Sequence, residues 1–147
     1  MDNLMDRIEP LNRLLRGELS AVETYEQALE TVSDQRALSE LERISGEHHQ
    51  AVGLLREQIR QFGGIADEGS GAWGLFAQAV EGTARVFGDT ASLKVLKEGE
   101  EHGLKEYQAI MDDPDLLPEF KSLLTERLQL RQKEHIEALN RCMETLH

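Results

Sequence analysis

Leu11-Asn12-Arg13-Leu14-Leu15-Arg16-Gly17-Glu18-Leu19-Ser20-Ala21-Val22-Glu23-Thr24-Tyr25 is the stretch whose spacing settles the fold class. Leu11, Leu14, Glu18, Ala21 and Tyr25 fall three and four residues apart, and Ala28 and Val32 continue the series. That period is one face of a helix, here from about Ile8 to Val32. Glu18 alone breaks its apolar character, a carboxylate at a core position.

The same sentence of sequence recurs downstream. Glu18-x-x-Ala21-x-x-x-Tyr25 is echoed by Glu100-x-x-Gly103-x-x-x-Tyr107, in a helix predicted to open around Asp89-Thr90 and to turn Leu93, Leu96, Glu100, Leu104, Tyr107 and Met111 inward before Asp113-Pro114 ends it. In each copy Glu and Tyr are two turns apart, about 10 Å along the axis and on one face. A second long helix carries Leu38, Leu41, Ser45, His48, Val52, Leu55, Ile59 and Phe62 to the stop at Gly63-Gly64. A fourth starts near Leu116-Leu117-Pro118 and carries Phe120, Leu124, Leu128, Arg131, His135, Leu139, Cys142 and Leu146. Glu47-His48 of the second matches Glu134-His135 of the fourth. The chain reads as two copies of a helix pair, 82 residues apart at the glutamates and 87 at the histidines.

Between the copies, residues 63–74 are glycine-rich and read as a loop. Trp73, Phe76, Val80, Ala84 and Phe87 then recur at helical spacing and predict a short crossover helix between helices 2 and 3. Aromatic residues are only 5% of the chain and prolines three, which suits helices and not half-buried strands. The expectation is an all-α four-helix bundle forming a single domain over residues 1–147.

Sixteen Lys and Arg stand against 28 Asp and Glu, a formal charge of −12 that repels phosphodiester backbones and anionic lipid heads. No nucleic-acid partner is expected. No apolar run approaches the roughly 20 residues that span a bilayer, and the first residues lack a basic start and apolar stretch, so the reading is cytoplasmic, with no membrane partner. The lone Cys142 makes no internal disulfide and no Cys-x-x-Cys pair is present, which leaves hard and borderline metals as the constructive use of the acidic surplus.

Packed about a pseudo-twofold axis, Glu18 and Glu100 face each other and His48 and His135 close the other two sides. A buried carboxylate costs several kcal/mol unless paired, and a divalent cation neutralises two at once. Mixed oxygen and imidazole donors suit iron, manganese or zinc better than magnesium or calcium. Glu47 and Glu134, one residue before each histidine, reach in from the flank, and His49 replaces His48 if the helix is rotated. Tyr25 and Tyr107 are the candidate catalytic residues, as hydrogen-bond partners of carboxylates or local one-electron donors. The competing reading is a metal-free bundle in which Arg131 or tyrosine satisfies the carboxylates and the histidines are hydrogen-bonded core. A third is a zinc-bound sensor using His48 and His49.

The Glu-x-x-Ala-x-x-x-Tyr signature, its echo and the paired histidines resemble the ferritin-like superfamily, rubrerythrin among them. Leu11 to Glu18, Leu55 to Gly63-Gly64, Gly71-Ala72-Trp73-Gly74 and Gly99-Glu100-Glu101 to Tyr107 more closely resemble the DUF2383 family of ferritin-like bacterial proteins. The resemblance implies iron, mono- or dinuclear, with iron oxidation or peroxide and dioxygen handling as its chemistry, in a homodimer. Di-iron bundles carry Glu-x-x-His on two helices. Here Ser45-x-x-His48 (or Gly46-x-x-His49) and Gln132-x-x-His135 stand in those places.

Overall fold

In this computed structural model the described residues are 4–69 and 88–146, and among them the regular structure is helical throughout. Helix α1 runs over Leu4–Thr31 and carries Pro10 inside its second turn, where the missing N–H takes one bond out of the helical ladder. Asp34 accepts a hydrogen bond from the Ala37 amide and caps α2, Gln35–Gln61, which ends at Gly63 with φ of 78°. Helix α3 is Asp89–Met111. The Asp89 carboxylate does not cap its own helix. It accepts from the Ser33 and Asp34 amides and the Ser33 hydroxyl, tying the α1–α2 turn to the start of α3.

The fourth long helix is continuous but not uniform: Pro118–Leu123 (α4), a π-helical stretch over Leu124–Gln129, then Leu130–Thr145 (α5). Phe120, Leu124, Leu128 and Gln132 are all buried and four residues apart. In a regular α-helix each four-residue step drifts about 40° round the axis, and a wider turn absorbs that drift. Beyond it His135, Leu139 and Cys142 hold the inward places that the periodicity gives them, but Gln132 is buried where Arg131 is expected, and Arg131 is half-buried.

Helix α1 packs on α2 and α3, and α5 packs on the same two. The buried side chains fall into two clusters. One holds Leu11, Leu15, Leu55, Ile59, Ile110, Phe120 and Leu128; the other holds Ala28, Leu41, Ile44, Leu93, Leu96 and Leu139. Each fully buried leucine stabilises the bundle by about 2 kcal/mol. The end of α2 and the start of α3 lie in different clusters, at opposite ends of the bundle. The helix expected over residues 73–87 lies outside the described residues. No helix among the described residues is long and apolar enough to cross a membrane.

Between the two apolar clusters lies a polar layer. Glu18, Ser45, His48, Glu100, Gln132 and His135 are all buried and each comes from the middle stretch of its helix.

Candidate metal centre

Glu18, His48, Glu100 and His135 are each 5% exposed or less, so every polar atom among them needs a partner within the protein. His48 sits at the middle. Its Nδ1 is 2.5 Å from Glu18 Oε2 and its Nε2 is 2.5 Å from Glu100 Oε1. The imidazole therefore separates the two carboxylates that the sequence pattern had set face to face. His135 follows the same plan one step on: Nδ1 lies 3.3 and 3.4 Å from the two Glu100 oxygens, and Nε2 lies 2.8 Å from Glu47 Oε1. The two imidazole centroids are 4.8 Å apart.

The tyrosines cross between the helix pairs. Tyr25 on α1 donates to Glu100 Oε1 at 2.9 Å, and Tyr107 on α3 donates to Glu18 Oε1 at 2.6 Å. Each two-turn Glu–Tyr spacing thus serves the carboxylate of the opposite helix and not its own. Arg43 binds Glu47 at 3.2 Å across one turn of α2, and Arg131 reaches the other Glu47 oxygen at 4.0 Å. Arg131 therefore pairs with Glu47, and neither Glu18 nor Glu100 takes it as partner. Gln132 donates its amide to the Glu100 backbone carbonyl at 3.2 Å and packs on Gly103, where a Cβ would stand 2.3 Å from the amide nitrogen.

Electrostatics follow from this contact order. Burial opposes a charged His48, but the carboxylates of Glu100 and Glu18 outweigh it and raise its pKa well above 6.5. Burial likewise pushes Glu100 up, and the His48 charge with hydrogen bonds from both histidines overrides it, holding Glu100 at about 2. Burial beside carboxylates raises both tyrosine hydroxyls well above their ordinary range, so both stay protonated.

His48, Glu100 and His135 offer one ligand atom each within 4.8 Å of one another. That is close to the roughly 4 Å that two metal–ligand bonds of about 2.1 Å bridge. Glu47 is half-buried at the edge of this group, on the outer nitrogen of His135. Glu134 is exposed, about 100° round the helix from His135, and stands outside the cluster. His49 is also exposed, with Glu26 at 4.0 Å as its partner, so the pairing of His48 with His49 in one site is not formed. Arg43 was not singled out from sequence, although its four-residue spacing to Glu47 was visible. A cavity of about 50 Å³ reaches the polar layer between α1 and α3, past Gly17, Ala21, Thr24, Gly99 and Gly103.

A family model described as "Domain of unknown function (DUF2383)" matches residues 6–113. The chain belongs to the DUF2383 family. Among solved structures, this DUF2383 protein is similar to the crystal structure of ferritin-like, diiron-carboxylate proteins from Bacillus anthracis str. Ames. The TM-score is 0.62 at 21% identity, covering 99% of this chain and 96% of that one, so the fold is ferritin-like. No curated protein matches the chain.

Proposed function

We propose that this DUF2383 protein binds iron in its polar layer, through His48, Glu100 and His135, and uses it in iron oxidation or in handling peroxide or dioxygen. The observation that carries the reading is the convergence of two imidazoles on one carboxylate, each imidazole braced from behind by a second carboxylate. Glu18 holds the outer nitrogen of His48 and Glu47 that of His135. Carboxylate–histidine pairs of this kind fix the tautomer and orientation of metal-binding imidazoles. The ferritin-like neighbour, a diiron-carboxylate protein, supports a metal in this layer.

Iron at such a site supplies a change of valence. The chain's own residues do the rest. Tyr25 and Tyr107 keep their phenolic protons and present them to Glu100 and Glu18. The small residues between α1 and α3 leave room for a molecule of a few atoms to approach. Manganese and zinc share the donor preference and are the alternatives. A cytoplasmic location and a homodimer belong to the same proposal, the dimer resting on the apolar residues between Trp73 and Phe87.

The test is elemental analysis after purification without added metal, and again after anaerobic Fe(II) loading and gel filtration. Retained iron that is lost in His135→Ala and in Glu100→Ala supports the reading. A metal-free structural bundle is the second reading, and one observation favours it: His48 already stands within hydrogen-bond reach of both Glu18 and Glu100, giving each buried carboxylate a partner. That reading expects no retained metal and no effect of chelators on stability.

A further inference from the structure

The polar layer of a di-iron bundle takes one Glu from each of two helices and a Glu-x-x-His pair from each of the other two, four carboxylates for two ions. This layer has Glu18 and Glu100 in the first role. In the second it has Ser45 and Gln132, each one turn before its histidine and on the same face. Resting on the metal-binding reading above, we infer that the centre takes a single divalent transition-metal ion, as a two-histidine, one-carboxylate site, with Ser45 and Gln132 filling the places from which a second ion would be held.

Three observations carry this. The Gln132 amide is turned away from the carboxylates and spent on the Glu100 carbonyl, with Gly103 leaving it the space. Glu18 and Glu100 lie on opposite nitrogens of His48, so the ring stands between the two carboxylates that a pair of ions would share. Charge gives the same answer. Two divalent ions would bring four positive charges to a layer with two fully buried carboxylates, and uncompensated buried charge is strongly destabilising. One divalent ion matches them. Glu47 does not make up the difference, because Arg43 and Arg131 already face it.

The experiment is anaerobic titration of the full chain with Fe(II), read as metal per chain after gel filtration. Electron paramagnetic resonance of the oxidised sample adds a second readout, since an isolated ferric ion is paramagnetic and a coupled pair is silent. The wild-type protein is expected to saturate at one ion with an isolated-ion signal, and the Ser45→Glu/Gln132→Glu variant at two with that signal diminished. Two ions in the wild type, or one in a folded double variant, overturns the inference and leaves metal binding standing. No ion in either protein overturns the metal-binding reading itself. Should the double variant not fold, the wild-type stoichiometry and resonance signal decide the matter alone.

Discussion

Tyr107 on α3 donates its hydroxyl to Glu18 on α1 at 2.6 Å, and both groups are buried. The bond joins the two halves of the bundle at the level where its core is polar. Tyr107→Phe keeps the ring and removes only the donor, so Glu18 retains His48 but loses one of its two partners. A loss of about 1–3 kcal/mol in unfolding free energy is expected, the cost of leaving a buried acceptor short of a bond. Urea denaturation of the metal-free protein measures it. An unchanged midpoint would mean that water replaces the hydroxyl and that the link contributes nothing.

His48 stands between two buried carboxylates, so its removal strands both. His48→Ala should destabilise the metal-free protein by about 3–5 kcal/mol, the range for breaking a buried ion pair from one side. Adding Glu18→Gln and Glu100→Gln to it should recover a substantial part, because the orphaned charges go with them. Circular dichroism melts of the three proteins test this; a triple variant no more stable than His48→Ala contradicts the account.

Acid should unfold the metal-free protein through Glu100. Its folded pKa of about 2 lies below the ordinary 4.5, so its contribution is complete above 4.5 and is lost as pH falls through 2. The pKa of His48 is raised, so its contribution is complete below 6.5 and is lost only as pH rises through its folded value, well above that. Stability from this pair is therefore full between pH 4.5 and 6.5. Urea midpoints across the acid range, with chelator present, should fall towards pH 2. A midpoint that rises on acidification has the wrong sign for this network.

Iron should stabilise the fold by mass action. At free metal near one hundred times the dissociation constant the gain is about 2.7 kcal/mol. Because the ion competes with the proton on His48, its affinity should rise with pH. Thermal melts with and without chelator at two pH values read both effects, and His135→Ala should abolish the metal-dependent shift while the metal-free melt stays cooperative at a lower midpoint. Persistence of the full shift in that variant would place the ion elsewhere.

The helices and the level of the polar layer were legible in sequence because burial imposes a period on residue type. Leu11, Leu14, Tyr25, Leu41, His48, Leu55, Leu93, Glu100 and Leu139 were all placed inward, and all are buried. Leu104 and Met111 were placed inward as well but are only half-buried; Ile110 takes the inward place at the end of α3. The fourth helix departs further. A regular period assigns Arg131 to the core, but Gln132, one residue on, is buried instead while His135 and Leu139 keep their inward places; steps of three and four both fit a helix, and side-chain spacing alone does not choose between them.

What the amino-acid sequence determined by itself is the all-α architecture, its duplication and the gathering of Glu18, His48, Glu100 and His135 at one level. These follow from local spacing, which fixes the face and height of each residue on its own helix. Which atoms meet was decided by tertiary structure alone. Nothing in the spacing of Glu18 and Tyr25 shows that each tyrosine serves the opposite glutamate, that His48 lies between the carboxylates, or that Arg131 goes to Glu47. Those pairings depend on how far neighbouring helices are rotated and shifted against one another. Packing of the two apolar clusters sets that rotation, and the polar layer takes the contacts that result.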